Sequence, residues 1–259
     1  MITSLSNSKV KHVIALQKKA KKRNEEGVFI VEGIKMFLEL KKEMIQEVYL
    51  SESFSSAKEG NYIVNNYQVE IVKDSIFQEM SDTKTPQGVL AVVKQMSYTL
   101  EEIVQKDSNP MLLLLEHIQD PGNLGTMIRA GEGAGVTGII MSKDTVDIYN
   151  QKVIRSTMGS VYRVPFVYVN DLKDIVNKLK TMGITTYAAH LLANESYDKK
   201  DYKKGCAFCI GNEANGLSKE LSDLSDEYIK IPMLGQVESL NAAMAATILM
   251  YEGARQRRN

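Results

Sequence analysis

Apolar residues along this chain change spacing in a regular way, and the changes mark its elements. Val10, Val13, Ile14 and Leu16 recur at helical intervals and predict an amphipathic helix near the start. Val28-Phe29-Ile30-Val31-Glu32 is a β-rich run stopped by Gly33, and residues 34–42 return to a helical spacing. Strand-like pieces follow at 47–50, 62–64, 69–72 and 88–93. This alternation predicts a small α/β domain over residues 1–95. From Lys94 to Pro110 the sequence turns polar, which places a linker at 96–109, with room for a short helix at 100–104.

The remaining residues, 110–259, open with Met111-Leu112-Leu113-Leu114-Leu115, a continuous apolar run of the kind that parallel strands covered on both faces carry. Further strands are predicted at 138–141, 165–168, 185–189, 206–210 and 228–231. Helices fall between them: one through Arg129 to about Ala134, one over 171–182 closed by Gly183, and a last one over 241–257. The pattern is that of an α/β domain, a parallel sheet with helices on both faces. In such sheets chemistry collects at the turns following the carboxyl ends of strands.

Four such turns carry unusual residues. Asp120-Pro121-Gly122-Asn123-Leu124-Gly125 leads into a helix bearing Arg129 among apolar neighbours. It is not G-x-G-x-x-G, so the dinucleotide fingerprint fails, and a looser Rossmann nucleotide site with Asp144 as its ribose-binding acid fits the spacing poorly. A plain tight turn with Asn123 as helix cap explains the glycines but not Arg129. Arg155-Ser156-Thr157-Met158-Gly159-Ser160 places small hydroxyl residues beside glycine, as helix-end packing also does. Gly211-Asn212-Glu213-Ala214-Asn215-Gly216 ends a buried strand on a polar loop, with Gly216 suited to a left-handed position. Glu238-Ser239-Leu240-Asn241 precedes an Ala-rich helix start that Ser239 or Asn241 can cap.

Composition narrows the class. An apolar fraction of 44% and a charged fraction of 25% are those of a globular domain, and no apolar run approaches the roughly 20 residues of a membrane span. With no basic-then-apolar start and only two cysteines, a cytoplasmic protein without a disulfide framework is expected. Cys206 and Cys209, three apart on a strand, point to opposite faces and have no second pair, and His12, His117 and His190 are scattered, so no metal site is expected. Net charge is zero, yet residues 1–24 hold Lys9, Lys11, Lys18, Lys19, Lys21, Lys22 and Arg23 without one acid. Such a cluster is either a solvated helix face or a footprint for a polyanion.

Taken in order, these turns resemble the motifs of the SpoU (TrmH-like) family of RNA ribose 2′-O-methyltransferases. The first corresponds to residues 120–130, the second to 155–165, and the third to 211–217 followed by Ile231-Pro232-Met233 and Ser239-Leu240-Asn241. The N-terminal part, from Asn7-Ser8-Lys9 through Phe29-Ile30-Val31-Glu32-Gly33 to Pro86-Gln87-Gly88-Val89, is similar to the small α/β RNA-binding domain of many members, which resembles a ribosomal-protein fold. Thr157 where Ser is more usual, and Ala242 where Val is common, are minor departures.

The resemblance implies a SPOUT-type sheet with a trefoil knot, S-adenosyl-L-methionine as cofactor, and a homodimer formed through the C-terminal domain. Its cofactor contacts map onto Gly211, Ile231 and Leu240, with Met233 and Gly235 nearby. Its catalytic and RNA-site positions map onto Asn123, Arg129, Glu213, Ser239 and Asn241. Arg129 is then expected to stabilise the reacting hydroxyl, with Asn123 and Glu213 holding Arg129 and the ribose, and with Ser239 and Asn241 ordering the loop. Lys9, Lys11, Lys18, Lys19, Lys22 and Arg23 are expected on RNA, ribosomal RNA of the 23S type first and transfer RNA as the alternative. A non-catalytic RNA binder is disfavoured by the intact polar set.

Overall fold

The computed structural model describes residues 1–191 and 193–258, and these divide into two compact units. The first comprises Met1–Met96 together with Tyr149–Gly159. Its helices are α1 (Ser8–Lys18), α2 (Ala20–Glu26), α3 (Ile34–Leu38), α4 (Glu52–Ser55), α5 (Lys58–Asn66) and α6 (Asp74–Met80). Its strands are β1 (Val28–Glu32), β2 (Ile45–Ser51), β3 (Glu70–Val72) and β4 (Val89–Lys94). They form one sheet in the order β1-β4-β2-β3, antiparallel except for the parallel β2/β3 pair. Val10, Val13 and Leu16 of α1 and Phe77 and Met80 of α6 pack on Ile30, Tyr49, Leu90 and Val92 to make the core.

Two expectations fail in this unit. Residues 62–64 lie in α5, not a strand: Ile63 is buried while Tyr62 and Val64 are exposed, so one face is covered, and three apolar residues are too few to separate the two periodicities. Residues 34–42 do not make one helix. α3 stops at Leu38 and a short 3-10 turn, Lys42–Met44, leads into β2. The segment Tyr149–Gly159, which belongs to the later half of the sequence, packs here. Tyr149 tilts against Phe29 with ring centroids 4.6 Å apart, Gln151 donates to the Ile30 carbonyl at 3.2 Å, and Arg155 pairs with Asp82 at 2.5 Å. Its helix is α9 (Gln151–Thr157), which ends in left-handed Met158 and Gly159.

The second unit comprises residues Ser97–Ile148 and those from Ser160 onward. It begins with α7 (Leu100–Gln105), opened by a Thr99/Glu102 capping box, inside the polar stretch expected to be a linker. Ile103 and Val104 of α7 are buried in this unit's core. β5 (Met111–Leu115), β6 (Gly138–Ser142), β7 (Phe166–Val169), β8 (Thr185–Ala189), β9 (Cys206–Ile210) and β10 (Glu227–Ile229) form a fully parallel sheet in the order β10-β8-β9-β5-β6-β7. β5, β6 and β9 are buried along their whole length, as their unbroken apolar sequences require. α8 (Pro121–Ala134) and α12 (Ala242–Arg257) pack on each other, and α10 (Leu172–Thr181) and α11 (Lys219–Leu224) join α7 in the core cluster. Arg257 fastens the end of α12, donating to the carbonyls of Asn109 and Lys204 at 2.7 Å each and of Tyr202 at 2.9 Å.

Candidate active site

The first turn is built on Asp120, whose carboxylate accepts from the Asn123 N–H at 2.8 Å and caps α8, with Pro121 as the first helical residue. Asn123 is therefore not the cap. It sits in the first helical turn, which frees its amide for tertiary contacts. Its Nδ2 donates to Glu213 at 2.9 Å, and its Oδ1 accepts from Asn241 Nδ2 at 3.0 Å. Asn241 in turn caps α12, accepting from Ala243 N at 2.9 Å and Met244 N at 3.3 Å. Three turns far apart in sequence thus meet through one chain of hydrogen bonds, Asn241–Asn123–Glu213.

Glu213 also accepts from the main-chain N–H groups of Gln119 and Asp120, at 3.2 Å each. Burial raises its carboxyl, but the bonds from Asn123 and from these N–H groups outweigh burial and hold it below its ordinary value of 4.5. The folded-state value is depressed, so the contribution of this network is full above the ordinary value and lost as pH falls through the depressed one. Stability is expected to fall on acidification below the ordinary value of 4.5; a Glu213→Gln variant, followed alongside by thermal unfolding against pH, should lose that part of the acid-side drop.

Next to Glu213, Gly211 meets the returning chain. A Cβ there would lie 2.1 Å from both the Gly216 carbonyl carbon and the Leu217 amide nitrogen, so the loop folds back on itself where only glycine fits. Gly216, at φ 69°, makes the left-handed turn expected of it, and its N–H donates to the Asn212 carbonyl at 2.9 Å. The folded-back loop borders a mostly apolar cleft at the carboxyl ends of β8, β9 and β10. Gly211, Glu213, Ile231, Met233, Ser239 and Leu240 line it, whereas Gly235 does not. His190, Leu191, Leu217, Lys230 and Leu249 line it as well. Leu217 ends the third motif; the others carry none, and only their position just past a strand or on a neighbouring helix could have marked them. The His190 ring stacks on Tyr228 with centroids 5.2 Å apart.

Arg129 stands apart from both the network and the cleft. It lies with Thr126 and Gly133 on the exposed stripe of α8, and among the described residues no carboxylate pairs with it. Asn123 and Glu213 do not hold it. By contrast, Arg155 and Arg163 pair with Asp82 and Glu132, and Arg255 with Glu252. Cys206 and Cys209 are buried on β9, and burial pushes their thiols up to about 11 and about 12.

The basic segment divides. Lys11, Lys18 and Lys19 are exposed, but Lys9 pairs with Glu70 and Lys22 with Glu26, both at 2.5 Å. Arg23 is only 3% exposed and donates to the carbonyls of Leu16 at 2.6 Å and Gln17 at 3.0 Å. It satisfies the end of α1 and does not belong to a surface for RNA, a correction that follows from its burial. Arg23→Ala is expected to cost about 2 kcal/mol of stability, measured by denaturant unfolding, because two carbonyls lose a charged donor.

A parallel α/β sheet with a tightly folded-back loop and a cleft at its carboxyl edge defines a ligand-binding enzyme domain. The chain belongs to the SpoU family: residues 110–251 match the SpoU rRNA Methylase family, and residues 7–91 match the MRM3-like substrate binding domain. It is 31% identical over 252 residues to the 23S rRNA (guanosine(2553)-2′-O)-methyltransferase RlmP of Bacillus subtilis, covering 96% of this chain and 97% of that one. Among solved structures it is similar to the SpoU methyltransferase AviRb of Streptomyces viridochromogenes in complex with AdoMet. That match has a TM-score of 0.88 and 25% identity, covering 98% of this chain and 99% of AviRb. The AdoMet-bound rRNA methyltransferase of Sinorhizobium meliloti matches with a TM-score of 0.86 and 30% identity over 98% and 97% of the two chains.

Proposed function

We propose that this chain transfers a methyl group from S-adenosyl-L-methionine to a ribose 2′-hydroxyl of RNA, with 23S ribosomal RNA as substrate. The observation that carries this reading is the joining of the first and third family motifs, through Asn241, Asn123 and Glu213, beside a cleft bordered by the folded-back loop at Gly211. That cleft suits the cofactor: largely apolar walls for an adenosine, and a glycine where the backbone must approach closely. Gly211, Ile231, Met233 and Leu240 would hold it, with Gly235 at the loop outside. When bound, S-adenosylmethionine supplies a methyl group activated by its sulfonium.

The residues of the chain position and polarise. Arg129 offers an unpaired guanidinium, very hard to deprotonate, and so stabilises negative charge developing on the ribose oxygen and orients a neighbouring phosphate. Glu213, held ionised, keeps the Asn123 amide in place, and Asn241 fixes its other end. Ser239 lines the cleft on the same loop. Orienting the hydroxyl in this way can contribute several kcal/mol by itself.

Residues 1–95 are read as the RNA substrate-binding domain, 96–109 as the joining segment and 110–259 as the catalytic domain with a trefoil knot. Met244 and Tyr251, exposed seven residues apart on α12, support a homodimer through the C-terminal domain. No described helix is long and apolar enough to cross a membrane, and a ribosomal RNA substrate supports a cytoplasmic location. Lys11, Lys18 and Lys19 would lie on RNA phosphates. Replacing all three with Ala is expected to weaken RNA binding and to lower the slope of log affinity against log salt by about 2–3; an unchanged slope would place the RNA elsewhere.

The reaction is tested by labelled methyl transfer into RNA from cells lacking the gene, followed by alkaline hydrolysis. An alkali-resistant labelled dinucleotide from 23S RNA supports the reading. Label in alkali-sensitive mononucleotides means base methylation and refutes it.

A further inference from the structure

Beside the three joined turns the chain adopts a conformation that L side chains avoid. His117, just beyond β5, has φ 55°, and among the described residues only Met158 shares such a backbone without being glycine. Its main chain is clamped on both sides. The His117 N–H donates to Ser142 Oγ at 2.9 Å, and its carbonyl accepts from Asn212 Nδ2 at 2.9 Å. The clamp turns the imidazole outward, half-exposed, with Nδ1 3.8 Å from the Asp144 carboxylate. Both side chains line a polar cavity shared with Asn170, Asp171, Lys173 and Ser218. Neither has a place in the chemistry described above.

We propose that His117 and Asp144 recognise a nucleobase of the RNA next to the ribose being methylated, an inference that rests on the methyl-transfer reading. Position supports it. Gln119 bridges the two sites, its main-chain N–H on Glu213 at 3.2 Å and its side-chain amide on the Asp144 carbonyl at 2.7 Å. Asn212, which holds the His117 carbonyl, is the residue before Glu213. The chemistry selects a base over a phosphate. Glu116, Asp171 and Glu220 around the cavity repel an anion, and its lysine, Lys173, is already paired with Asp171 at 3.5 Å. A half-exposed imidazole offers a flat face for an unstacked base, and Asp144 offers acceptors for the N–H donors of its edge. Guanine, which presents two such donors side by side, fits a carboxylate best.

The backbone itself supplies a clean test. Glycine accepts φ 55° without strain, so His117→Gly removes the imidazole and leaves the main-chain clamp. The full-length protein, labelled S-adenosylmethionine and 23S RNA from cells lacking the gene are the reagents. His117→Gly and Asp144→Asn are each expected to raise KM for RNA roughly tenfold, the loss typical of one stacking or edge contact. kcat and cofactor Kd should stay at wild-type values, and Tm within about 3 °C. An unchanged KM in both variants overturns the proposal while leaving methyl transfer intact. A parallel loss of cofactor affinity also overturns it, by assigning the pair to the scaffold of the loop. No transfer by the wild-type protein refutes the methyl-transfer reading and the proposal with it.

Discussion

Arg129→Ala is expected to lose methyl transfer by about a thousandfold yet to bind S-adenosylmethionine with wild-type affinity. The magnitude is that of removing one preorganised donor from a developing oxyanion. The separation of the two effects follows from geometry. Arg129 lies on the exposed stripe of α8, does not line the cleft, and takes no part in the Asn241–Asn123–Glu213 network. Its removal therefore leaves the cleft and the packing of α8 untouched. Arg129→Lys keeps the charge but loses the planar fork, and is expected to recover only part of the rate. Single-turnover transfer with saturating RNA, beside calorimetric cofactor binding, checks both statements. Retained turnover in Arg129→Ala would remove this residue from the mechanism.

Gly211→Ala is expected to have the second large effect, and on the opposite quantity. A methyl group 2.1 Å from two backbone atoms cannot rotate away, so the folded-back loop itself must open. The cost is about 3 kcal/mol of stability, and cofactor Kd should rise at least about a hundredfold because Gly211, Glu213 and Gly216 all border the cleft. Gly235→Ala is the control. Among the described residues nothing lies within 4 Å of a Cβ there, so the same change in the same loop region should leave affinity and Tm unaltered. Thermal unfolding and equilibrium binding of the two variants separate a crowded backbone from a general sensitivity of the loops. Wild-type cofactor affinity in Gly211→Ala would show that the folded-back loop is not part of the cofactor site.

The sheet of the second unit was legible because its central strands β5, β6 and β9 are buried on both faces, and burial on both faces leaves an uninterrupted apolar run in the sequence. Residues 62–64 were misread for the opposite reason. Three apolar residues satisfy either period, and only the packing of Ile63 against the first unit, with Tyr62 and Val64 outside, distinguishes them. By residue type Asn123 suits a site as well as a helix cap. Asp120, three residues earlier, suits it equally, and the tertiary demand of Glu213 and Asn241 for an amide settles which side chain does what. Arg23 looked like one cation among seven, since charge is visible in a sequence and solvent exposure is not.

By itself the amino-acid sequence determined the parallel α/β architecture, the four polar turns and the family, because periodicity and motif order are local properties of the chain. Tertiary structure alone decided that Asn241, Asn123 and Glu213 form one network without Arg129, and that Tyr149–Gly159 packs with the first unit. It also decided that Gly211 faces the returning backbone of its own loop and that His117 is held in a left-handed conformation beside Asp144. Apart from Gly211, which meets the nearby Gly216 and Leu217 of its own loop, these depend on contacts between residues tens of positions apart, and such contacts arise from the closure of the sheet rather than from any neighbour in sequence.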